Sequence, residues 1–493
     1  MGAAKSCWQN RLRCEKARAA ASHSFEKGSR CEPGTVPAAV SSFSGLLSEP
    51  LRRMPSAFIP TERRGGAKRE KAGGLERVRR PATVKLNKGA RGKVPVKTVT
   101  FMKKIFFLLL AGAMFLCACQ KEGPSVPPAP SRLPAEICQA FAENHQGVFQ
   151  LNEGQMGTNS ATLDFLRFAS GHYSRDVFRP DGGASLGDVA NDVTIIGDEV
   201  WMVINDSGIV QVLSKTACSE IAAIQVPMPR NIAFDDTYAY VTSWNGAYVT
   251  STYIQDTEGN WVPQITDYKN PKGVVYRINL ETKQLDAQTV EVGYQPEGIA
   301  YDGGKLYVAN SGGLQLPPDS NYGKTVSVIE TDTFDSVETE VEVGVNPKNV
   351  IAGGSNRIFV TSLGDYGANH SSLYYISTLT NRASKQADYV TAVSVCGNTV
   401  YGIGAENEFD WEGPKNYFAW KWTMTGRQQR LSSPAISGTA LSGLCVLQSG
   451  DDLLWMVTDQ GDYVNPGSLD FYWKGEKAWS ETTGICPGHF AAL

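Results

Sequence analysis

Seven short apolar segments, each centred on an aromatic residue, recur along the chain at a mean spacing of 51 residues. The most regular is Lys305-Leu-Tyr-Val-Ala-Asn-Ser-Gly312, and the seven aromatic centres are Phe149, Trp201, Tyr240, Tyr307, Phe359, Tyr401 and Trp455. A fixed period of this length signals a repeat architecture, in which one supersecondary unit buries its apolar faces only against its neighbours. Each unit holds several strands. A short apolar run precedes the anchor, as in Val193–Ile196, Gly298–Tyr301 and Gly443–Val446, and a Gly/Asp/Asn turn joins the two, as in Asp302-Gly303-Gly304. That is hairpin chemistry. A third strand follows (Thr325–Ile329, Ser372–Ile376, Leu469–Trp473), then a turn and a fourth (Thr289–Val292). Four antiparallel strands per period predict an all-β fold, a β-propeller of seven blades spanning residues 141–493. No segment carries a long helical period, which argues against an α/β body.

The ends of the repeat give an independent expectation. The first unit lacks a strand before Phe149, while the last has a spare one, Cys486-Pro-Gly-His-Phe490-Ala491, that aligns with Gln295-Pro-Glu-Gly-Ile299-Ala300. The C-terminal strand is therefore predicted to complete the first blade as its innermost strand, closing the ring and pairing an edge otherwise left open.

Upstream of the repeat the chain changes character. The formal net charge of -3 over 493 residues combines two unlike parts. Residues 1–101 hold 22 Lys and Arg against 7 Glu and no Asp, a net +15, and the remainder carries a net −18. At residue 102 stands a short basic run, Met102-Lys103-Lys104, followed by the apolar stretch Ile105–Leu116. At 12 residues the stretch is too short to span a bilayer and reads as the core of a signal peptide, residues 102–118. Leu116-Cys117-Ala118-Cys119 resembles a bacterial lipobox, which implies cleavage before Cys119 and lipid attachment there. Residues 119–140 then form a Pro-rich tether, stiff and extended. Residues 1–101 read as a misassigned upstream extension without structure. The expected mature chain has 375 residues and is exported to the outer membrane, displayed on the cell surface and held by lipid alone.

Cysteine and histidine usage narrows the chemistry. Five Cys remain in the body: Cys138, Cys218, Cys396, Cys445 and Cys486. Cys396, Cys445 and Cys486 sit in apolar strand patterns, where a thiol acts as a small hydrophobe; Cys138 and Cys218 could bridge. No CxxC spacing suggests zinc. The four body histidines (His145, His172, His370 and His489) are scattered, and no HExxH occurs. The sequence therefore points to a non-enzymatic protein with no cofactor and no metal. Its acidic body argues against nucleic acid as a partner.

Two sets of loops should share one face of the ring. The loops entering the innermost strands carry Asp188, Asn191, Arg230, Glu297, Lys348 and Asn349. The loops linking second and third strands carry Asn152, Glu153, Asn205, Asp206, Trp244, Asn245, Asn310, Asp365, Tyr366, Glu406, Phe409, Trp411, Asp459 and Tyr463. Polar amides, charges and aromatic platforms around one funnel suit a large, partly planar, polar ligand. The candidate ligand-binding residues are Asn152, Glu153, Asn205, Asp206, Arg230, Trp244, Glu297, Asn310, Lys348, Asp365, Tyr366, Trp411, Asp459 and Tyr463. Asn and Asp also favour turns for backbone reasons alone, so a merely structural role stays open for each.

The run Pro296–Asn310 and the phrase Asn346-Pro-Lys-Asn-Val350 resemble the YVTN/YncE-like propeller superfamily. Asn152-Glu-Gly154, Leu186–Asp192 and Pro229-Arg-Asn-Ile232 resemble a narrower group, the DUF5074-like surface lipoproteins of Bacteroides type, whose members include the vitamin B12-binding lipoprotein BtuG. The resemblance covers residues 145–493. It implies a small-molecule ligand, with a corrinoid as the candidate, and a TonB-dependent outer-membrane transporter as partner. Two alternatives stay open: a protein- or glycan-interaction scaffold using the aromatic loops, and an enzyme of the lactonase or lyase type.

Overall fold

The computed structural model describes residues 132–178, 185–255, 261–313, 322–410, 414–424 and 426–493. The expected signal peptide, the expected lipidation site Cys119, residues 1–101, most of the expected tether and Trp411 lie outside them. The described strands form seven four-stranded antiparallel sheets and one extra hairpin. From the axis outward, blade 4 shows the plan: Pro296–Asp302, Lys305–Asn310, Thr325–Glu330 and Val337–Glu342. Blades 2, 3, 5, 6 and 7 repeat it, with innermost strands Ala190–Ile196, Pro229–Phe234, Pro347–Ala352, Ala392–Cys396 and Leu441–Ser449. Blade 1 takes its three outer strands from Gly147–Asn152, Thr162–Arg167 and His172–Ser174, and its innermost from Pro487–Ala492. The register runs Val148 to Ala492, Phe149 to Ala491 and Gln150 to Phe490. The ring is closed by the C-terminal strand, as the spare repeat segment predicted.

The core is distributed rather than central. Each of the seven seams between neighbouring blades holds its own cluster of buried apolar side chains. Six of the anchors explain why: Phe149, Trp201, Tyr240, Tyr307, Phe359 and Tyr401 each pack at the seam with the next blade. The seventh is displaced. In blade 7 it is Met456 that packs toward blade 1, as the other anchors pack toward the blade that follows them. Trp455, one residue earlier, projects to the other side, against Tyr401 at 5.4 Å. A one-residue offset in a strand exchanges its two faces, so the sequence alignment of this unit was one residue out.

Three local findings refine the expected layout. The segment after Trp244 is a hairpin, Tyr248–Gln255 paired with Trp261–Lys269, inserted between the second and third strands of blade 3. A helix, Ala135–Phe141, buries Ile137 and Phe141 at the seam of blades 7 and 1, so the junction drawn at 140/141 falls inside folded structure. All five body cysteines are free thiols, and Cys138 and Cys218 do not bridge. Cys486 stands just before its strand with φ of 53°, one of a set. Val189, Met228, Gln295 and Asn346 also take left-handed backbone immediately before an innermost strand. The chain must turn sharply there to run down the axis, and the ring as a whole supports these strained residues.

Candidate functional site

The turn just described places the second residue of each innermost strand at the same height around the axis. In blades 3, 4 and 5 that residue follows a proline and is charged: Arg230, Glu297 and Lys348. The three form one buried cluster. Arg230 grips Glu297 through Nε (3.2 Å) and Nη2 (3.0 and 3.1 Å), and Lys348 Nζ donates to the same Oε2 at 2.5 Å. The guanidinium also lies 4.6 Å from the ring of Trp244, which lies just past the end of the neighbouring second strand. Burial opposes ionisation of Glu297, but Arg230 and Lys348 outweigh it and hold its pKa below the usual carboxylate range.

Blades 1 and 2 complete this floor differently. Blade 1 has Gly488 at the equivalent position, and the carboxylate of Glu153 and the amide of Gln460 flank the space a side chain there would take. Glu153 Oε1 lies 3.4 Å from His489 Nε2. Blade 2 supplies Asn191, which is buried with neither amide atom hydrogen-bonded. Nearby in the chain, Asp188 accepts from Gly157 N at 2.6 Å, and its pKa is pushed up to about 6 by burial and then by Asp206. The folded state then binds a proton more readily than the unfolded chain between about pH 4 and 6, so Asp188 lowers stability as pH rises through that window. Asp188→Asn should therefore raise stability at pH 7 by about 1 kcal/mol and flatten the pH dependence between 4 and 6. Urea unfolding across that range measures both.

Above the floor, the connectors of blades 4, 5 and 6 build an aromatic ledge. Tyr322 and Tyr366 meet edge to face at 6.0 Å, and Tyr366 meets Phe409 at 5.8 Å. His370 stacks on Phe409 at 5.6 Å with the rings 5° from parallel, and Tyr389 lies 4.6 Å from His370. Beneath the imidazole, Nδ1 is 2.9 Å from Oε1 of the buried Glu408. Glu408 also accepts from the Ser371 amide at 3.0 Å and from the Ser371 hydroxyl, which in turn accepts from Val390 N at 2.7 Å. One carboxylate thus ties the seam of blades 5 and 6.

The residues singled out from sequence divide into two groups. Arg230, Glu297, Lys348, Trp244 and Glu153 converge on the floor, and Tyr366 belongs to the ledge. Trp411 lies outside the described residues, and the others sit in turns and strand ends of the scaffold. Asn152 bonds Thr162 and Asp164 within blade 1, and Asn310 does the same for Thr325, Ser327 and Gly293 in blade 4. Asn205 donates to Pro229 O of the next blade at 2.9 Å. Asp365 accepts from Gly367 N and Asn369 N of its own loop. Asp459 accepts from Thr439 N, Ala440 N and Gly461 N. Tyr463 takes left-handed backbone, its N–H on Gln460 O, and Asp206 is exposed at a turn. The sequence reading did not single out His370, Glu408, Tyr322, Tyr389 or Gln460. Their signal was register: His370 and Glu408 occupy the same connector in consecutive units.

No family model matches the sequence, and no curated protein matches it either. Among solved structures, hydrazine synthase of Kuenenia stuttgartiensis is 15% identical over 57% of this chain and 76% of its own, with a TM-score of 0.42. The dihydro-heme d1 dehydrogenase NirN in complex with DHE is 12% identical over 74% of this chain and 82% of its own, at 0.41. The Neurospora crassa Pan2 WD40 domain is 10% identical over 60% and 79%, at 0.36.

Proposed function

We propose that this chain is a lipid-anchored capture protein of the cell envelope that holds a small molecule on the face carrying the ledge and the buried floor. The observation that supports it most is convergence. Rings from blades 4, 5 and 6 lie on the same side of the propeller as the Arg230–Glu297–Lys348 cluster. Half-exposed rings above a few fixed polar groups form the usual lining of a site for a bulky polar ligand. We favour binding over lactonase or lyase chemistry because the floor's two cations are both engaged by one carboxylate rather than poised for proton transfer.

The resemblance to DUF5074-like lipoproteins makes a corrinoid the first cargo to test, with a TonB-dependent transporter as its recipient. Cyanocobalamin at micromolar concentration should raise the melting temperature by several degrees and be retained in equilibrium dialysis without turnover. No shift and no retention would rule out corrinoid capture. The exposed rings also suit a sugar face, so an oligosaccharide such as cellohexaose is the second ligand to titrate.

A further inference from the structure

His370 combines features that a merely structural histidine does not need. Its side chain is 41% exposed, yet the ring is fixed on three sides, by Phe409, by Tyr389 and by Glu408. The tautomer follows from the acceptor. Glu408 is 3% exposed and already accepts from two Ser371 donors, so as a carboxylate it takes a proton from Nδ1 and gives none back. In the neutral ring Nε2 then carries the lone pair. Among the described residues none bonds to Nε2, and the atom belongs to an exposed ring within an aromatic ledge. A buried carboxylate that orients an imidazole and leaves its far nitrogen open is the arrangement by which proteins present a histidine to something outside themselves.

We propose that His370 Nε2 is the polar anchor of the ledge and accepts a hydrogen bond from the bound molecule. The ligand class follows: a ring-shaped compound with an apolar face to lie on Tyr322, Tyr366 and Phe409, and N–H or O–H donors around its rim. A macrocycle with an amide rim and an oligosaccharide with a hydroxyl rim share this chemistry. The inference rests on the capture reading above and names its specificity-determining residue. Glu408 is the positioning residue behind it.

Two measurements test it. In the ligand-free protein labelled with 15N-histidine, long-range 1H–15N spectra should show His370 with the proton on Nδ1, assigned by loss of its signals in His370→Gln. The opposite tautomer would overturn the proposal. Calorimetric titration with cyanocobalamin and with cellohexaose then separates the two sources. For whichever binds, His370→Leu should weaken affinity at least tenfold, while His370→Gln, which restores an acceptor at the same reach, should stay within threefold of the native chain. Both variants should melt within a few degrees of it. Unchanged affinity in His370→Leu sinks the anchor but leaves capture standing, whereas no binding of either compound to the native chain removes both.

Discussion

A chain ending at Ile485 is expected to lose cooperative folding altogether. The missing strand, Pro487–Ala492, supplies the whole inner side of blade 1, and its partner Gly147–Asn152 is buried at every residue. Without it, the backbone groups of that strand face the axis unpaired, each costing about 1–3 kcal/mol. The seams on both sides also lose a wall. Ala491 packs with Phe149 and Leu151 between blades 1 and 2, and Phe490 packs against the cluster between blades 7 and 1. In a ring whose core is divided among seven seams, no central reservoir of burial compensates. Calorimetry should show a sharp transition for the full chain and none for the truncated one. Ala491→Asp gives a graded version: a carboxylate in the seam should cost about 3 kcal/mol with the fold retained. A truncated chain that melts sharply near the native temperature would mean closure contributes little.

The second large effect is expected at Glu297. Glu297→Leu leaves Arg230 and Lys348 buried side by side with no counter-charge, and breaking a buried ion pair from one side costs about 3–5 kcal/mol. Replacing all three residues, as in Arg230→Met with Glu297→Leu and Lys348→Met, should recover most of that loss, because the desolvation cost leaves along with the attraction. Urea midpoints of the single and triple variants decide it. A single variant as stable as the native chain would show the cluster to be energetically idle. Acid provides a cross-check. Because the folded pKa of Glu297 lies below its unfolded value, its contribution is present above the unfolded pKa and fades as pH falls through the folded one. Glu297→Gln should lack that acid-side loss.

The blades were legible because their signal is local: a period-two strand, a Gly/Asp turn and another strand, repeated. Closure was legible for the same reason, since Cys486–Ala491 copies Gln295–Ala300. What the repeat could not show is which chemistry neighbouring copies bring together. Arg230 and Glu297 lie 67 residues apart and Glu297 and Lys348 51, so their contact exists only once blades 3, 4 and 5 have packed side by side. His370 and Glu408, 38 apart, meet across a seam that no window on the sequence spans. Asn152 and Asn310 recur at strand ends, where each bonds neighbouring strands of its own blade, a role that the repeat alone does not separate from ligand contact. Trp455 was misplaced for the opposite reason: its size drew the alignment to it, while the smaller Met456 holds the equivalent position.

The helix Ala135–Phe141 sits on the seam that the last strand stitches. Leu133 N bonds Gly171 O, Ser449 Oγ bonds Ala140 O, and Gln146 and Gly147 bond Leu493. Any pull on the chain from the N-terminal side of the helix therefore enters the ring where the first and last strands of the propeller meet. Load would peel seven residues of helix from blades 7 and 1 before it reached the paired strands, which run antiparallel and would then be strained along their length. The helix is expected to act as a mechanical fuse that yields before the ring does: single-molecule extension from residue 132 should record a small step well before the main rupture, and a single rupture without it would show that the helix carries no separate load.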